Sequence, residues 1–353
     1  MTAEALPAAA EAAYLTAALR RCGALTDGSV REVAIESQND TILSRIIRLR
    51  LTYDGAHGGA PPSIFLKTNR ADRAGLWTQM NQEVTFYSQL APLMPAGYVP
   101  RCFDADWNAE SKAWHLLLED LTDTHTSATR WPLPPTFEQC EQVVGALARI
   151  HAAWWDDPRL GTSVGAWTDA AGMERYLKTF GERFARFVEE FGDRLPEERR
   201  DIYRRLFDSA PRLSERYNTH RNMTIMHGDA HFWNCLCPKD GGADVRFFDW
   251  DCWRVDTGSD DLAYMIAMHW YPDRRRRFER RLLDHYHAEL VAHGVRGYER
   301  RDLDDDYRLS VLWQIMTPVN QFAIKIPPVI WWNNLERVFL AVDDLGCRDL
   351  LGR

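Results

Sequence analysis

The chain lacks most of what would place it outside the cytoplasm or on a polyanion. Its seven cysteines (Cys22, Cys102, Cys140, Cys235, Cys237, Cys252 and Cys347) are scattered and odd in number, so no disulfide framework is expected. No apolar run approaches the length of a membrane span, and the first residues lack the charged and apolar regions of a signal peptide. Basic charge is short as well: 43 Lys and Arg stand against 51 Asp and Glu, a net charge of −8. A nucleic-acid binder needs a basic face for phosphate contacts, so that class is set aside. Repeats and low-complexity tracts are missing too. The expectation is a cytoplasmic protein with neither a membrane nor a nucleic acid as partner.

What is present suits a packed interior. Hydrophobic residues make up 45% of the 353 positions and aromatics 12%, with 14 Trp, enough for two lobes and for a cleft lined with rings. Residues 3–21 read as an alanine-rich helix and 31–35 as a strand. In 45–52, Ile47, Leu49 and Leu51 alternate with Arg48, Arg50 and Thr52, the period of a half-buried strand. A Gly- and Pro-rich loop over 54–62 and a strand over 63–67 complete a hairpin. Leu76, Met80, Val84, Tyr87 and Leu90 recur at helical spacing, and 113–118 reads as a further strand. After the polar, Pro-rich stretch 122–135 the character changes. Thr136 and Gln139 form a capping-box signature ahead of a helix through Trp154, and helices follow over 173–191, 197–217, 274–293 and 331–345. The expected fold is therefore α+β, an N-terminal antiparallel sheet with a helix and a larger, mostly helical C-terminal part.

A β-like interruption at 226–250 breaks the helical half. It reads Met226-His227-Gly228-Asp229-Ala230-His231-Phe232-Trp233-Asn234, then an apolar strand closing on Asp249-Trp250-Asp251. Phosphoryl transfer needs a carboxylate to orient and accept the proton of the attacking hydroxyl, and oxygen ligands for Mg2+ on the nucleotide phosphates. Asp229 suits the first need, Asn234 and Asp249 the second. His227, His231, Cys235 and Cys237 are a weaker transition-metal set, because Cys-x-Cys is not the usual zinc spacing and Asp and Asn favour a hard cation.

H-G-D-x-x-x-x-N followed by a strand ending in D-x-D resembles the aminoglycoside phosphotransferase and choline-kinase-like family, small-molecule relatives of protein kinases. The resemblance runs over nearly the whole chain and implies a bilobal protein-kinase-like fold. A nucleotide-binding lobe with its hinge would cover residues 1–121, and a catalytic and acceptor-binding lobe 122–353. It also implies roles. Asp229 is the catalytic base, and Asn234 and Asp249 hold Mg2+. Lys67 takes the nucleotide phosphates with Glu83 as its ion-pair partner, while the Glu119 carbonyl and Leu121 amide meet the base of ATP or GTP. Leu147 to His151 resembles the family helix L-A-x-L-H, and Asp261-Leu262-Ala263 the D-L-A that supports the catalytic loop; His227 is then structural. In place of a glycine-rich phosphate loop stands Glu36-Ser37-Gln38-Asn39-Asp40-Thr41, with no glycine at all.

Only twelve steps separate Asp249 from Asp261, and no A-P-E follows, which leaves little material to seat a peptide. The partners expected are therefore a nucleotide and a small-molecule hydroxyl acceptor. An antibiotic is one candidate acceptor; choline, a sugar or an amino alcohol is the metabolic alternative, and a pseudokinase binding module the non-catalytic one. Asp251, Trp331 and Asn333 stand where acceptor contacts would fall. The arginine-rich run 274–281 reads as a solvated helix face, and Trp154, Trp155, Trp331 and Trp332 as core rings before an aromatic cage.

Overall fold

The computed structural model describes residues 7–70 and 81–352. The chain forms two compact units, Met1–Thr126 with Leu236–Cys252, and Ser127–Cys235 with Trp253–Arg353. Placed by sequence in the C-terminal part, residues 236–252 lie in the first unit.

Strands β1 (Ser29–Asp40), β2 (Ser44–Asp54), β3 (Ser63–Asn69), β4 (Cys102–Trp107) and β5 (Trp114–Glu119) build the first unit's antiparallel sheet in the order β1-β2-β3-β5-β4. Helix α1 (Ala12–Arg21) lays Leu15, Ala18 and Leu19 on the face made by Ile47, Leu49, Leu51, Ile64, Leu66 and Leu117. The period-two alternation of β2 thus faces the core as expected. Gly23, at a φ of +70°, takes the left-handed conformation that ends α1, with the Leu25 amide bonding back to the Leu19 carbonyl. Each of these buried aliphatic side chains contributes about 1.5–3 kcal/mol relative to exposure. Lys67 points to the opposite face from Ile64 and Leu66, and its strand partners are Ile46 and Leu116.

Three features depart from the sequence reading. Strand β4 was not anticipated, because Asp104 and Asp106 break its apolar pattern. Asp104 is nonetheless satisfied in place, by the Tyr14 hydroxyl at 2.7 Å, Arg21 at 3.0 Å and His115 at 3.0 Å. The glycine-free stretch expected to cover phosphates is strand through Asp40, and the Thr41 hydroxyl closes a turn on the Ser44 amide at 3.0 Å. Within the described residues the following helix is α2 (Gln82–Thr85), which widens into a π-turn over Phe86–Leu90; Leu76 and Met80 lie outside the described residues. Residues 236–252 return to this unit through a small sheet of His125–Ser127, Cys235–Pro238 and Arg246–Phe247. The Lys239 amide bonds Thr124 there, and the Phe247 amide bonds Tyr98.

The second unit is helical: α3 (Phe137–Ala153), α4 (Ala170–Phe191), α5 (Glu197–Asn218), α6 (Ser259–Leu262), α7 (Pro272–Ala292), α8 (Arg300–Trp313), α9 (Met316–Ala323) and α10 (Pro328–Asp344). The capping box forms as predicted, Thr136 and Gln139 each accepting the other's backbone amide. Val143, Val144, Leu147 and Ile150 of α3 are buried, as are Leu282, Leu283, Tyr286 and Leu290 of α7, and the two helices pack together. The arginine run on α7 is not simply solvated: Arg275 is buried between Glu279 and Asp344, and Arg281 lies over the Phe137 ring. Trp154 is core, and Trp331 is buried among Phe187, Phe191 and Phe322. Among the described residues no helix is long and apolar enough to cross a membrane.

Candidate functional site

In the first unit, β3 delivers Lys67 to a buried position and α2 brings Glu83 to it, Lys67 Nζ donating to Glu83 Oε2 at 2.6 Å. Lys67 also donates to Asp249, which stands just past the strand Arg246–Phe247. Burial works against the ammonium charge, but the Asp249 and Glu83 carboxylates, with Asp251 beyond them, outweigh it and hold the Lys67 pKa above its ordinary range. Asp249 has a φ of +68°, a left-handed conformation that Asp tolerates better than most residues. The next residue pins it. The Trp250 ring stacks on Phe86 at 4.1 Å and 6°, and its indole N–H donates to the Phe247 carbonyl at 3.1 Å. Phe86 follows α2 directly, so Trp250 couples the Asp249 backbone to the element that carries Glu83. This anchor was not read from the sequence; the apolar ring between two aspartates was its only signal.

At the end of β5, the Glu119 carboxylate accepts the Arg101 amide at 3.1 Å. Leu121 is buried, and its carbonyl takes the amides of Thr124 and His125. Among the described residues the Leu121 amide has no hydrogen-bond partner, so it keeps a donor available.

In the second unit, the strand Thr224–Met226 pairs antiparallel with Arg254–Asp256 and runs into the His227 turn. Gly228, at a φ of +83°, makes that turn. Its geometry is set from below by Asp261, fully buried on α6, whose two oxygens accept the His227 amide at 2.7 Å and the Gly228 amide at 2.8 Å. Burial alone would raise the Asp261 pKa; the His151 hydrogen bond, the His151 and His227 imidazoles and the His227 amide outweigh it and hold it below the ordinary carboxylate value. His151 reaches Asp261 at 3.2 Å through Nε2 and the Tyr286 hydroxyl at 2.7 Å through Nδ1. The L-A-x-L-H-like helix and the D-L-A-like turn therefore meet under the His227 turn. The His227 ring accepts the Asp229 amide at 3.3 Å, a scaffolding contact.

Asp229 and Asn234 are brought together. Asn234 Nδ2 donates to the Asp229 carbonyl at 3.1 Å and to its Oδ2 at 2.9 Å, and His231 Nε2 lies 3.6 Å from the same oxygen. Among the described residues Asp229 Oδ1 has no partner, and the carboxylate is 27% exposed, so this oxygen can take a proton from outside. With its amide nitrogen engaged, Asn234 offers its amide oxygen to a cation. Asn234 and Asp249 are both hard oxygen donors, the chemistry Mg2+ takes. Cys235 donates to the Phe232 carbonyl, a local backbone contact. Of the candidate acceptor contacts, Trp331 is core and Asn333 accepts the Tyr271 hydroxyl at 2.7 Å.

Comparison with known proteins bears on the family and the fold. The pattern of the ecdysteroid kinase-like family matches residues 38–296. No curated protein sequence matches the chain significantly. Among solved structures, a candidate aminoglycoside phosphotransferase from Ralstonia eutropha is similar with a TM-score of 0.56 at 13% identity, over 95% of this chain and 97% of that one. Choline kinase LicA from Streptococcus pneumoniae follows the same fold, with a TM-score of 0.53 at 12% identity over 89% of this chain and 94% of that one. Amicoumacin kinase hAmiN, solved with AMP-PNP and Ca2+, gives 0.52 at 11% identity over 92% of each chain. At such identities the likeness is one of fold, the kinase-like α+β fold expected from the motifs. The chain belongs to the ecdysteroid kinase-like family, which places it among the small-molecule kinases.

Proposed function

We propose that the protein transfers the γ-phosphate of ATP or GTP to a hydroxyl of a small molecule, with Asp229 as the base. The observation that carries this reading is the Asn234 clamp on Asp229, which engages one carboxylate oxygen and leaves the other to a substrate proton. In the reaction the hydroxyl oxygen forms a bond to the γ-phosphorus, the bond from that phosphorus to the β,γ-bridging oxygen breaks, and the nucleoside diphosphate leaves. Asp229 Oδ1 takes the hydroxyl proton as the oxygen attacks.

The other assignments have support of their own. Lys67, held charged by Glu83 and Asp249, suits the nucleotide phosphates, and the unpaired Leu121 amide with the Glu119 carbonyl suits the nucleobase. Asn234 and Asp249 would hold Mg2+, which when bound neutralises phosphate charge. The AMP-PNP and Ca2+ in the amicoumacin kinase are in keeping with a nucleotide and a divalent ion. An antibiotic acceptor and a metabolic alcohol would use the same machinery.

The test is acceptor-dependent release of ADP or GDP with labelled nucleotide, across aminoglycosides, amino alcohols and sugars side by side. Asp229→Asn should lower kcat by about 10²–10⁴-fold and leave nucleotide binding nearly unchanged. If that variant kept near-normal turnover with an acceptor that the wild-type protein phosphorylates, the assignment of Asp229 would be overturned.

A further inference from the structure

We infer that one arginine face of α7, together with the neighbouring tip Trp131-Pro132-Leu133, docks on an anionic lipid bilayer. The inference is independent of the phosphotransfer reading, since neither element carries a residue of that site.

The arginine run divides by partner. Arg275 and Arg276 are tied to Asp344, and Arg275 to Glu279 as well. Arg274, Arg277 and Arg281 lie on another face of the helix, spread over about 10 Å of its length. Each is held by rings. The Arg281 guanidinium lies 3.9 Å from the Phe137 centroid, Arg277 5.0 Å from Phe278, and Arg274 4.5 Å from Trp270 and 5.1 Å from Phe278. Phe137 and Phe278 are themselves stacked at 4.8 Å. A ring attracts the charge without engaging the in-plane N–H donors as a carboxylate does, so donors stay available to an outside anion. Arg274 gives one donor to the Pro135 carbonyl. Arg277 and Arg281 are exposed. Among the described residues none of the three arginines has a carboxylate partner, although Asp273, Glu138 and Glu141 stand on the same two helices.

The bond to Pro135 also fixes where the tip stands. Trp131 and Leu133 are 52% and 60% exposed, and the Leu133 amide closes a turn on the Arg130 carbonyl at 2.8 Å. Leu133 is two residues before Pro135, so its Cα lies within about 7 Å of the residue that Arg274 holds. Arg130, also exposed, adds a fourth cation. Fixed cations bordered by an exposed Trp and Leu suit an anionic bilayer, the charges meeting headgroup phosphates and the apolar tips lodging beside them. An acidic polypeptide would use the arginines alone, and α7, whose main chain is bonded within the helix, offers it no edge to pair with. The chain as a whole carries a net charge of −8, so the attraction acts at contact, within a Debye length of about 10 Å at about 0.1 M salt.

The test is co-sedimentation of the full-length protein with vesicles, phosphatidylcholine alone against an equimolar mixture with phosphatidylglycerol. Apparent affinity should be at least about tenfold higher for the mixture and should fall as salt rises. Arg277→Gln with Arg281→Gln should weaken it about 10–30-fold. Arg277→Lys with Arg281→Lys should keep most of it, because a bilayer asks for charge rather than a planar fork. Trp131→Ser with Leu133→Ser should weaken binding about tenfold and leave its salt dependence unchanged. All four positions are exposed, and melting curves check that each double variant folds. The inference is overturned if the wild-type protein does not sediment with the mixed vesicles, if neutral vesicles bind it equally, or if the Gln pair or the Ser pair binds like wild type. Soluble poly-glutamate bound through Arg277 and Arg281, with no vesicle binding, would assign the face to an acidic polypeptide instead.

Discussion

The two units hold their acids by opposite means. In the first, the buried Glu83 and the partly exposed Asp249 converge on one buried ammonium, Lys67, in a cluster made of charge. In the second, Asp261 is held by two backbone amides and an imidazole, in a cluster made of directed hydrogen bonds. A charge cluster depends on every charge being present and tolerates small shifts of its members. An amide-anchored carboxylate fixes the shape of the turn above it, and here that turn carries Asp229. The first arrangement suits gripping phosphates; the second suits placing a base to within a fraction of an ångström.

The sharpest way to break this contrast is Lys67→Met. It leaves the buried Glu83 carboxylate, with Asp249 beside it, without a cation and should cost about 2–3 kcal/mol once solvent screening of the partly exposed Asp249 is allowed for, read as a fall in Tm. Adding Glu83→Gln should recover part of the loss, and a double variant no more stable than the single one would refute the charge-cluster account. Asp261→Asn should cost roughly 3 kcal/mol, because an amide group replaces an acceptor of two buried amides, and hydrogen exchange at His227 and Gly228 should quicken. Asp229→Asn, in the same turn but outside the anchor, should change stability by no more than about 0.5 kcal/mol despite its large effect on turnover. Gly258→Ala should cost about 1–3 kcal/mol, since its methyl would lie 2.3 Å from the Tyr286 hydroxyl and 2.6 Å from His151 Nδ1.

The smallest effect lies in the acid limb of stability and belongs to the first unit's surface. Burial would raise the Asp104 pKa, but bonds from His115, Tyr14 and Arg21 lower it to about 2. A carboxyl whose folded pKa is depressed stabilises the fold above its unfolded pKa of about 4 and loses that contribution as pH falls through the folded value. Asp104→Asn should therefore melt below wild type at pH 7, and the gap should close between pH ~4 and pH ~2. A gap that stays constant across that range would assign the effect of Asp104 to packing.

Much of this was legible in the sequence, unevenly. The alternation of Ile47, Leu49 and Leu51 gave the buried face of β2, and the Thr136 box gave the start of α3, because both are local patterns with one physical solution. Strand β4 was hidden because Asp104 is paid for by Tyr14, Arg21 and His115, residues remote in sequence. Ser37, Asn39 and Asp40 looked like loop residues, yet the pairing of β1 with β2 overrides that propensity. Trp250 drew no notice, since nothing local distinguishes a ring that anchors a backbone from its many counterparts in the chain.

The sequence by itself determined the chemical inventory: Asp229, Asn234 and Asp249 at fixed spacing, Lys67 and Glu83 in order ahead of them, and twelve steps from Asp249 to Asp261. Those are covalent facts, and the proposed phosphoryl transfer asks for those groups. Tertiary structure alone decided which groups meet. It returned residues 236–252 to the first unit so that Asp249 reaches Lys67, and set Asp261 beneath the His227 turn. The reason is physical: pairing a buried charge depends on contacts between residues far apart in the chain, and such contacts leave no periodic trace in the order of amino acids.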